Sequence, residues 1–321
     1  MDIFFYEAFE EEVEELQRLI GDTVTCDYTS RTIQESGHVF PPASLISIRT
    51  QSIIPTEWAD NLSGILSRTT GYDHLTAYLK KIKKPLPCGY LEEYATRAVA
   101  EQAIMLMMTL LRKLPQQMRQ FCLFERDGLT GVECAGKNLL VVGAGRIGGE
   151  IAVIAKGLGM NVKGVDLVCK YPDMDYINKD QGIQWADIII CSMNLTDENK
   201  GYFSYELLGQ ARRGVVFINI ARGEHAIIAD LLKLLKEGRL GALGLDVYEN
   251  EPSVAVDLRN TLESKSSEVI IIQELIKHPN VIFTPHNAFN TREAVQRKAR
   301  FTVEQLIHFL DHDDFKLRTF L

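Results

Sequence analysis

The sequence lacks several features that would assign it to a specialised class of protein. Its six cysteines are scattered, and no two have the close spacing of a CxxC or zinc motif. No apolar run approaches the length of a membrane-spanning helix, and the acidic N-terminus does not resemble a secretory signal. The net charge of −8 disfavours nucleic-acid binding, because a phosphate backbone attracts basic surfaces. We therefore expect a cytoplasmic globular protein with reduced thiols that binds no metal, membrane or nucleic acid.

A glycine-rich turn between a predicted strand and a predicted helix is the most informative stretch. The apolar run at 138–142 predicts a buried strand, and the motif GAGRIG at 143–148 precedes a helical pattern. Gly143 permits a tight turn, Gly145 lets the backbone approach a pyrophosphate, and Gly148 allows close helix packing. Asp166 ends the next predicted strand, where a carboxylate can accept hydrogen bonds from ribose hydroxyls. Because this charge would repel a 2′-phosphate, we expect NAD and not NADP.

Alternating strands and helices on both sides of this motif predict an α/β protein of two domains. Six strand candidates with helices between them predict a doubly wound parallel sheet, the Rossmann arrangement, as the NAD-binding domain at 101–289. A smaller flavodoxin-like α/β substrate domain is expected at 1–100. The helix predicted at 291–310 follows the last strand, so we expect the substrate domain to be discontinuous and to include 290–321.

The positions of the elements are predicted from periodicity and from turn residues. In the substrate domain, strands are expected at 3–6, 23–26, 45–48, 65–67 and 86–88. In the NAD-binding domain, they are expected at 138–142, 161–165, 187–191, 215–219, 242–245 and 281–283. The clearest helices lie at 10–20, 94–113 and 226–236. The stretch 253–267 lacks periodicity and predicts a long loop, and the acidic run at 10–15 predicts a solvated helix face.

Charged residues follow three predicted strands of the larger domain. Arg222 follows one strand, Asp246 and Glu251 follow the next, and His286 follows the last. Taken singly, each could be an ordinary surface or core residue. Because the carboxyl ends of parallel strands share one edge of the sheet, the four should converge beside the bound nicotinamide.

This set of residues suits hydride transfer to a 2-oxo acid. A guanidinium such as that of Arg222 can hold a substrate carboxylate with two parallel hydrogen bonds. Hydride addition places negative charge on the ketone oxygen, and an imidazole, with an unperturbed pKa of about 6.5, can deliver the proton. Glu251 would favour the imidazolium form of His286 and fix its orientation. Asp246 is placed to accept a hydrogen bond from the nicotinamide amide.

The chain resembles the D-isomer-specific 2-hydroxyacid dehydrogenases. The resemblance rests on GAGRIGG with Asp166, on NIARG, LGLDVYENEP and TPHNAF, and on SRTTGYDHL and YATRAVAEQA in the first domain. Within the family, the D-lactate dehydrogenase branch is most similar, because it shares the long segment before His286 and the phenylalanine that follows it. The resemblance implies NAD-dependent interconversion of a 2-oxo acid and its D-2-hydroxy acid, with pyruvate and D-lactate expected first.

The resemblance also implies roles for individual residues. Arg222, Glu251 and His286 are expected to be catalytic, with His286 as the acid/base. The residues expected to border the substrate are Ile48, Arg49, Thr50, Tyr94 and Phe289. The residues expected to contact the cofactor are Gly143, Gly145, Arg146, Ile147, Gly148, Asp166, Ser192, Met193, Asn194, Ile220, Ala221 and Asp246. Family members commonly dimerise through the nucleotide domain, so a homodimer is expected.

Two departures from the family pattern leave alternatives open. The family often has a histidine and a proline near Ser192 and Asn194, which this chain lacks. Arg49 resembles the phosphoglycerate branch, so phosphoglycerate, hydroxypyruvate and glyoxylate stay open as substrates. An NAD-sensing corepressor-like scaffold would keep the same Arg, Glu and His, although the one basic cluster here is a short lysine run. A nucleotide-binding methyltransferase would share the glycine turn but would not explain those three residues.

Overall fold

The computed structural model describes residues 1–260 and 266–319, and it divides into two compact units. The first unit combines Met1–Ala95 with Asn290–Leu321, and the second unit is Thr96–Phe289. The sequence-based prediction puts the domain boundaries after residues 100 and 289. Each unit has its own sheet and its own core.

The strands of the described residues form two parallel sheets, one in each unit. The strands of the first sheet are β1 (Ile3–Phe5), β2 (Cys26–Tyr28), β3 (Leu45–Ile48), β4 (Gly64–Ser67) and β5 (Cys88–Gly89). Those of the second are β6 (Asn138–Val142), β7 (Asn161–Val165), β8 (Asp175–Tyr176), β9 (Ile188–Cys191), β10 (Val215–Asn219), β11 (Leu240–Leu245) and β12 (Val281–Phe283).

Helices lie between most of these strands. In chain order they are α1 (Glu10–Ile20), α2 (Ile33–Ser36), α3 (Asp73–Ile82), α4 (Thr96–Leu111), α5 (Leu114–Gln120), α6 (Arg146–Gly157), α7 (Lys179–Trp185), α8 (Tyr205–Gly209), α9 (Ile228–Lys236), α10 (Glu251–Asn260), α11 (Ser267–Lys277) and α12 (Arg292–His312). Within the described part of the chain, none of these helices has the length and apolar character needed to cross a membrane.

The first sheet has the strand order β2-β1-β3-β4-β5, with every pairing parallel. This is the flavodoxin-like order, in which the chain changes direction between β1 and β3 and leaves a crevice at their carboxyl ends. Strands β3 and β4 are buried along their whole length, as expected for a parallel sheet that is covered on both faces.

The second sheet has the order β12-β11-β10-β9-β6-β7-β8, again with every pairing parallel. The chain changes direction between β6 and β9, so the carboxyl ends of these two strands flank the crevice in which such sheets bind ligands. The predicted fold class, two α/β domains of which one is doubly wound, is confirmed. The long helix predicted at 94–113 is α4, the first element of this unit.

Several element predictions differ from the structure. Strand β8 was not predicted, because two residues are too few to show periodicity. Strand β2 lies at 26–28 and not at 23–26, because this partly exposed strand lacks an apolar run. The prediction of a long loop at 253–267 is wrong at its start, because α10 extends to residue 260. The sequence of α10 is only weakly amphipathic, so its periodicity did not reveal a helix. Residues 261–265 of that prediction lie outside the described residues.

The prediction that the acidic run of α1 is a solvated face is wrong for one residue. Glu12 is fully buried together with Leu16 and Ile20, whereas Glu10 and Glu11 are exposed. The helical repeat explains this difference, because positions 12, 16 and 20 share one side of the helix.

Candidate active site

The turn after β6 has the geometry of a phosphate-binding loop. Gly143 has a positive φ of 91°, and a Cβ there would lie 2.6 Å from the backbone nitrogen of Met193. A Cβ on Gly148 would lie 2.2 Å from the Gly143 carbonyl oxygen. Both positions therefore require glycine. Helix α6 starts at Arg146, and its N-cap, Gly145, contributes no side-chain hydrogen bond, so the first turn can present N–H groups to an anion.

The carboxylate expected to bind the ribose lies at the end of β7. Asp166 is exposed, and its Oδ1 accepts a hydrogen bond from the backbone N–H of Val168 at 3.2 Å. Among the described residues, no cation forms an ion pair with this carboxylate. An exposed, unneutralised acid beside the switch point can accept hydrogen bonds from a ribose diol and would repel a phosphate on it.

The other predicted cofactor residues follow β9 and β10. Ser192 donates its hydroxyl to the Gly143 carbonyl at 2.8 Å, which ties the two loops of the crevice together. Met193 and Asn194 continue the loop after β9, and Asn194 is exposed. Ile220 and Ala221 follow β10 and are buried. The glycine turn and these loops therefore lie at one edge of the sheet and fit an extended dinucleotide.

Arg222 lies three residues after the end of β10, and its backbone is held by two residues that the sequence did not single out. Asn219 donates its side-chain amide to the Arg222 carbonyl at 2.8 Å, and Nδ1 of the fully buried His225 lies 3.1 Å from the same oxygen. A Cβ on Gly223 would lie 1.9 Å from the carbonyl carbon of Tyr248, so only glycine allows this approach. The signal for Asn219 was its place at the strand end within NIARG.

His286 and Glu251 form a close pair. Nδ1 of His286 lies 2.8 Å from one Glu251 oxygen and 2.9 Å from the other, and their side chains are 18% and 12% exposed. His286 has a positive φ of 50°, which is uncommon for a residue with a side chain. An ionised carboxylate at Nδ1 fixes the proton there and leaves Nε2 as the ring nitrogen that can exchange a proton with a ligand.

Asp246 organises the loop that carries His286. Its carboxylate is fully buried and accepts the N–H groups of Asn287 at 2.9 Å and Ala288 at 3.0 Å, as well as the Thr284 hydroxyl. The Asp246 carbonyl also accepts the His286 N–H at 2.9 Å. The predicted contact of Asp246 with the nicotinamide stays a prediction, and the observed contacts add a positioning role.

Tyr248, between Asp246 and Glu251 in sequence, stays neutral in this environment. Burial raises the pKa of Tyr248 to about 12, and the charges of Glu251 and Asp246 add to this effect. Its phenol is therefore a poor proton donor near neutral pH, whereas an imidazole is suited to that task.

The predicted substrate residues divide between the units. In the first unit, Ile48 ends β3 and is buried, and Arg49 and Thr50 follow it with partial exposure. Tyr94 is buried, and its carbonyl accepts a hydrogen bond from Arg297 at 2.8 Å. Phe289 is buried and is the last residue of the second unit. Within the described residues, no group of three or more His, Cys, Asp or Glu side chains could hold a metal ion.

Comparison with known proteins gives consistent matches. Residues 104–288 match the family described as "D-isomer specific 2-hydroxyacid dehydrogenase, NAD binding domain". A D-lactate dehydrogenase of Escherichia coli K12 is 33% identical over 225 residues, which cover 66% of this chain and 66% of that protein. An aromatic 2-oxoacid reductase of Clostridium sporogenes is 32% identical over 222 residues, which cover 67% and 66%. The chain thus spans slightly less than two thirds of these relatives.

A solved structure extends the similarity to nearly the whole chain. The D-lactate dehydrogenase of Aquifex aeolicus, complexed with NAD and lactic acid, superposes with a TM-score of 0.85 at 26% identity. The superposition covers 97% of this chain and 96% of that one. Both units of the present chain therefore have counterparts in that protein.

Proposed function

The chain belongs to the D-isomer specific 2-hydroxyacid dehydrogenase family, and its second unit is an NAD-binding domain; from this premise we propose that it interconverts pyruvate and D-lactate. The observation that carries the proposal is the His286–Glu251 pair, with Nδ1 of the histidine 2.8 Å from the carboxylate. The pair follows β11 and β12, at the sheet edge that also carries the glycine turn and Arg222.

Each residue has a distinct part in the proposed reaction. NADH, when bound, would supply the hydride to the carbonyl carbon, and NAD+ would accept it in the reverse direction. Arg222 binds the substrate carboxylate and polarises the adjacent carbonyl. As the hydride arrives, Nε2 of His286 donates its proton to the carbonyl oxygen, and Glu251 stabilises the imidazolium that carries this proton. In the reverse direction, the neutral imidazole takes the hydroxyl proton.

The position of Arg49 in the first unit supports an unphosphorylated substrate. The guanidinium carbon of Arg49 lies 5.7 Å from the centroid of the Phe9 ring within the first unit. The Nε atom of Arg49 is buried, so this side chain is partly engaged in the interior and is a poor anchor for a distal phosphate. The names of two of the matched relatives, D-lactate dehydrogenase and aromatic 2-oxoacid reductase, agree with a 2-oxo acid.

The test is steady-state oxidation of NADH with pyruvate, phenylpyruvate, 2-oxobutyrate, glyoxylate and hydroxypyruvate, repeated with NADPH. We expect the highest kcat/KM with pyruvate and NADH, and D-lactate as the product. Higher efficiency with another 2-oxo acid would keep the reaction and change the substrate. NADH binding without turnover of any compound would overturn the proposal and favour the corepressor-like scaffold.

We further propose that the protein acts in the cytoplasm as a homodimer formed through the second unit. Supporting this, one short segment of that unit exposes five large apolar side chains, each 43–72% accessible: Leu114, Met118, Phe121, Leu123 and Phe124. Contiguous apolar residues of this kind mark protein interfaces. Light scattering should give twice the chain mass for the wild type and a monomer for Phe121→Asp with Phe124→Asp. A monomeric wild type would overturn this assignment.

A further inference from the structure

The carboxylate of Glu7 bridges the two strands that flank the switch point of the first sheet. Glu7 follows β1 within two residues, and its side chain accepts three backbone N–H groups from the loop after β3. The donors are Arg49 at 3.0 Å, Gln51 at 3.1 Å and Ser52 at 3.0 Å. Because β1 and β3 are adjacent and the strand order changes direction there, this loop borders the crevice in which a flavodoxin-like sheet binds its ligand.

Glu7 is held in an unusual conformation. Its φ is 53°, in the left-handed region, and the residue is buried. Its own N–H donates to the Arg31 carbonyl at 3.0 Å, and the N–H of Ala8 donates to the Thr29 carbonyl at 2.9 Å, so the backbone is held on both sides of Glu7. A residue other than glycine keeps such a conformation when the surrounding contacts determine it, and residues of this kind concentrate at functional sites.

The three hydrogen bonds leave one residue of the loop with free donors. Within the part of the chain that the structure describes, neither the N–H nor the hydroxyl of Thr50 forms a hydrogen bond, and the residue is partly exposed. The N–H groups on both sides of Thr50 donate to Glu7. The Glu7 carboxylate thus accepts hydrogen bonds from the N–H groups that neighbour Thr50. The N–H and the hydroxyl of Thr50 stay available as donors beside the crevice.

We propose that Glu7 is a positioning residue for substrate binding, which holds residues 49–52 so that the N–H and hydroxyl of Thr50 can donate to the polar end of the 2-oxo acid. This assignment rests on the proposed function, because it takes the loop after β3 as part of the substrate site. Glu7 itself need not contact the substrate.

The physical consequence concerns substrate affinity more than the chemical step. Without the carboxylate, three backbone donors lose a charged acceptor, and the loop samples other conformations. The apparent dissociation constant then rises in inverse proportion to the population of the competent conformation. Saturating substrate selects that conformation again, so the maximal rate is largely preserved.

The decisive variant is Glu7→Gln, which keeps the size of the side chain. Its amide has one acceptor oxygen, and its NH2 group would face a backbone donor. We expect the KM for pyruvate to rise about tenfold, as for the loss of one charge-assisted hydrogen bond. We expect kcat to stay within about twofold and the Kd of NADH to be unchanged.

A matched control exists at the opposite end of the same strand. The Asp2 carboxylate accepts the N–H of Thr25 at 2.8 Å and its hydroxyl at 2.7 Å. Asp2→Asn therefore removes an equivalent carboxylate–backbone contact away from the crevice, and it should leave KM unchanged. Thr50→Val, which removes the hydroxyl alone, should raise KM by a smaller factor. Combined with Glu7→Gln, it should raise KM by less than the product of the two single effects.

Amide hydrogen exchange without substrate provides a readout that is independent of catalysis. In Glu7→Gln, peptides that contain residues 49–52 should exchange faster, while the rest of the first unit is unchanged. An unchanged KM, or a fall in kcat with faster exchange throughout the first unit, would overturn the positioning role. If the wild type reduces no 2-oxo acid, the proposed function fails, and the positioning role fails with it. Unchanged exchange at residues 49–52 in Glu7→Gln would show separately that Glu7 does not hold the loop.

Discussion

The His286–Glu251 pair of the second unit and the Glu12–Arg68–Lys298 cluster of the first unit are both ionic groups removed from bulk water, but they differ in accessibility. The side chains of the pair keep 18% and 12% exposure, whereas all three side chains of the cluster are fully buried. The pair follows two strands at a ligand-binding edge. The cluster joins α1, the end of β4 and α12 inside one unit. The exposed fraction of the side chains, and not charge alone, therefore separates the proposed acid/base pair from the buried cluster.

The cluster is held by short contacts to one carboxylate oxygen. Arg68 donates Nε to Glu12 at 2.8 Å, Nη1 to the Ser47 hydroxyl at 2.8 Å and Nη2 to the Tyr6 carbonyl at 2.6 Å. Nζ of Lys298 lies 2.9 Å from the same Glu12 oxygen. Burial alone would raise the pKa of Glu12, but the charges of Arg68, Lys298 and the nearby Arg49 lower it to about 2.

Neutralising Glu12 should have the largest effect on stability. Glu12→Gln leaves Arg68 and Lys298 buried without their anion, which costs about 3–5 kcal/mol when one partner of a buried pair is removed. Urea unfolding should be followed by the fluorescence of Trp58, which is buried in the first unit. A Trp185→Phe background makes this signal specific, because the chain has 2 tryptophans.

The neighbouring acid of α1 provides the control for this comparison. Glu11 is exposed on the same helix, so Glu11→Gln should change the unfolding free energy by no more than about 0.5 kcal/mol. Equal effects of the two variants would show that the buried cluster does not stabilise the first unit.

Removing the charge of Glu251 should affect turnover and leave stability nearly unchanged. Glu251→Gln can still accept a hydrogen bond from Nδ1 of His286, but it no longer stabilises the imidazolium. We expect kcat for pyruvate reduction to fall by roughly a hundredfold, within the range for acid–base catalysis. In a Trp58→Phe background, in which Trp185 is the single tryptophan, a urea midpoint that Glu251→Gln leaves unchanged would support this distinction. Wild-type kcat would remove Glu251 from the mechanism.

The buried lysine should make the stability of the first unit depend on pH. Burial lowers the pKa of Lys298 to about 7, against the opposing charge of Glu12. An unfolded lysine titrates near 10.4, so the unfolded state binds more protons between these two values, and stability should rise with pH there. The slope contributed is at most about 1.4 kcal/mol per pH unit.

Lys298→Met should remove this slope between pH 7 and 9, as measured by urea unfolding with the Trp58 signal. Lys80→Met, at an exposed lysine of the same unit, should retain it. The same slope in Lys298→Met and the wild type would mean that another group titrates in this range.

A smaller effect is expected from the support of the His286 loop. Thr284→Val removes one of the hydrogen bonds to the buried Asp246 carboxylate, while the N–H groups of Asn287 and Ala288 still donate to it. We expect kcat to fall by about threefold to tenfold, as for the loss of one hydrogen bond of about 1 kcal/mol. The Kd of NADH, measured by fluorescence titration, should be unchanged, and a loss of NADH binding would contradict this local role.

The sequence predicted the second unit better than the first, for physical reasons. Strands β6, β7, β10 and β12 were located to the residue, since each has a short apolar run next to glycine or polar turn residues. Strand order places the residues after them at one edge of the sheet, so the position of Arg222 and His286 at the same edge could be anticipated. The hydrogen bonds that the Asp246 carboxylate accepts from its own loop could not be anticipated, because they depend on the backbone path of residues 284–288.

The two carboxylates of the first unit that matter most were not recognised from sequence. Glu12 occurs in an acidic run, and its buried partners, Arg68 and Lys298, lie 56 and 286 residues away along the chain. The spacing of Glu12, Leu16 and Ile20 did contain a usable signal. The sequence around Glu7 shows no such periodicity. Its proposed role depends on the loop after β3, which reaches the Glu7 side chain because β1 pairs with β3.

The most direct test of the central claim compares the wild type with His286→Ala, each saturated with NADH, after pyruvate is added. We expect the wild type to oxidise the bound NADH and to form D-lactate, as measured by absorbance and chiral chromatography. His286→Ala should bind NADH equally well but oxidise almost none of it. Turnover by His286→Ala at the wild-type rate would exclude His286 as the acid/base, and formation of L-lactate by the wild type would exclude a D-specific enzyme.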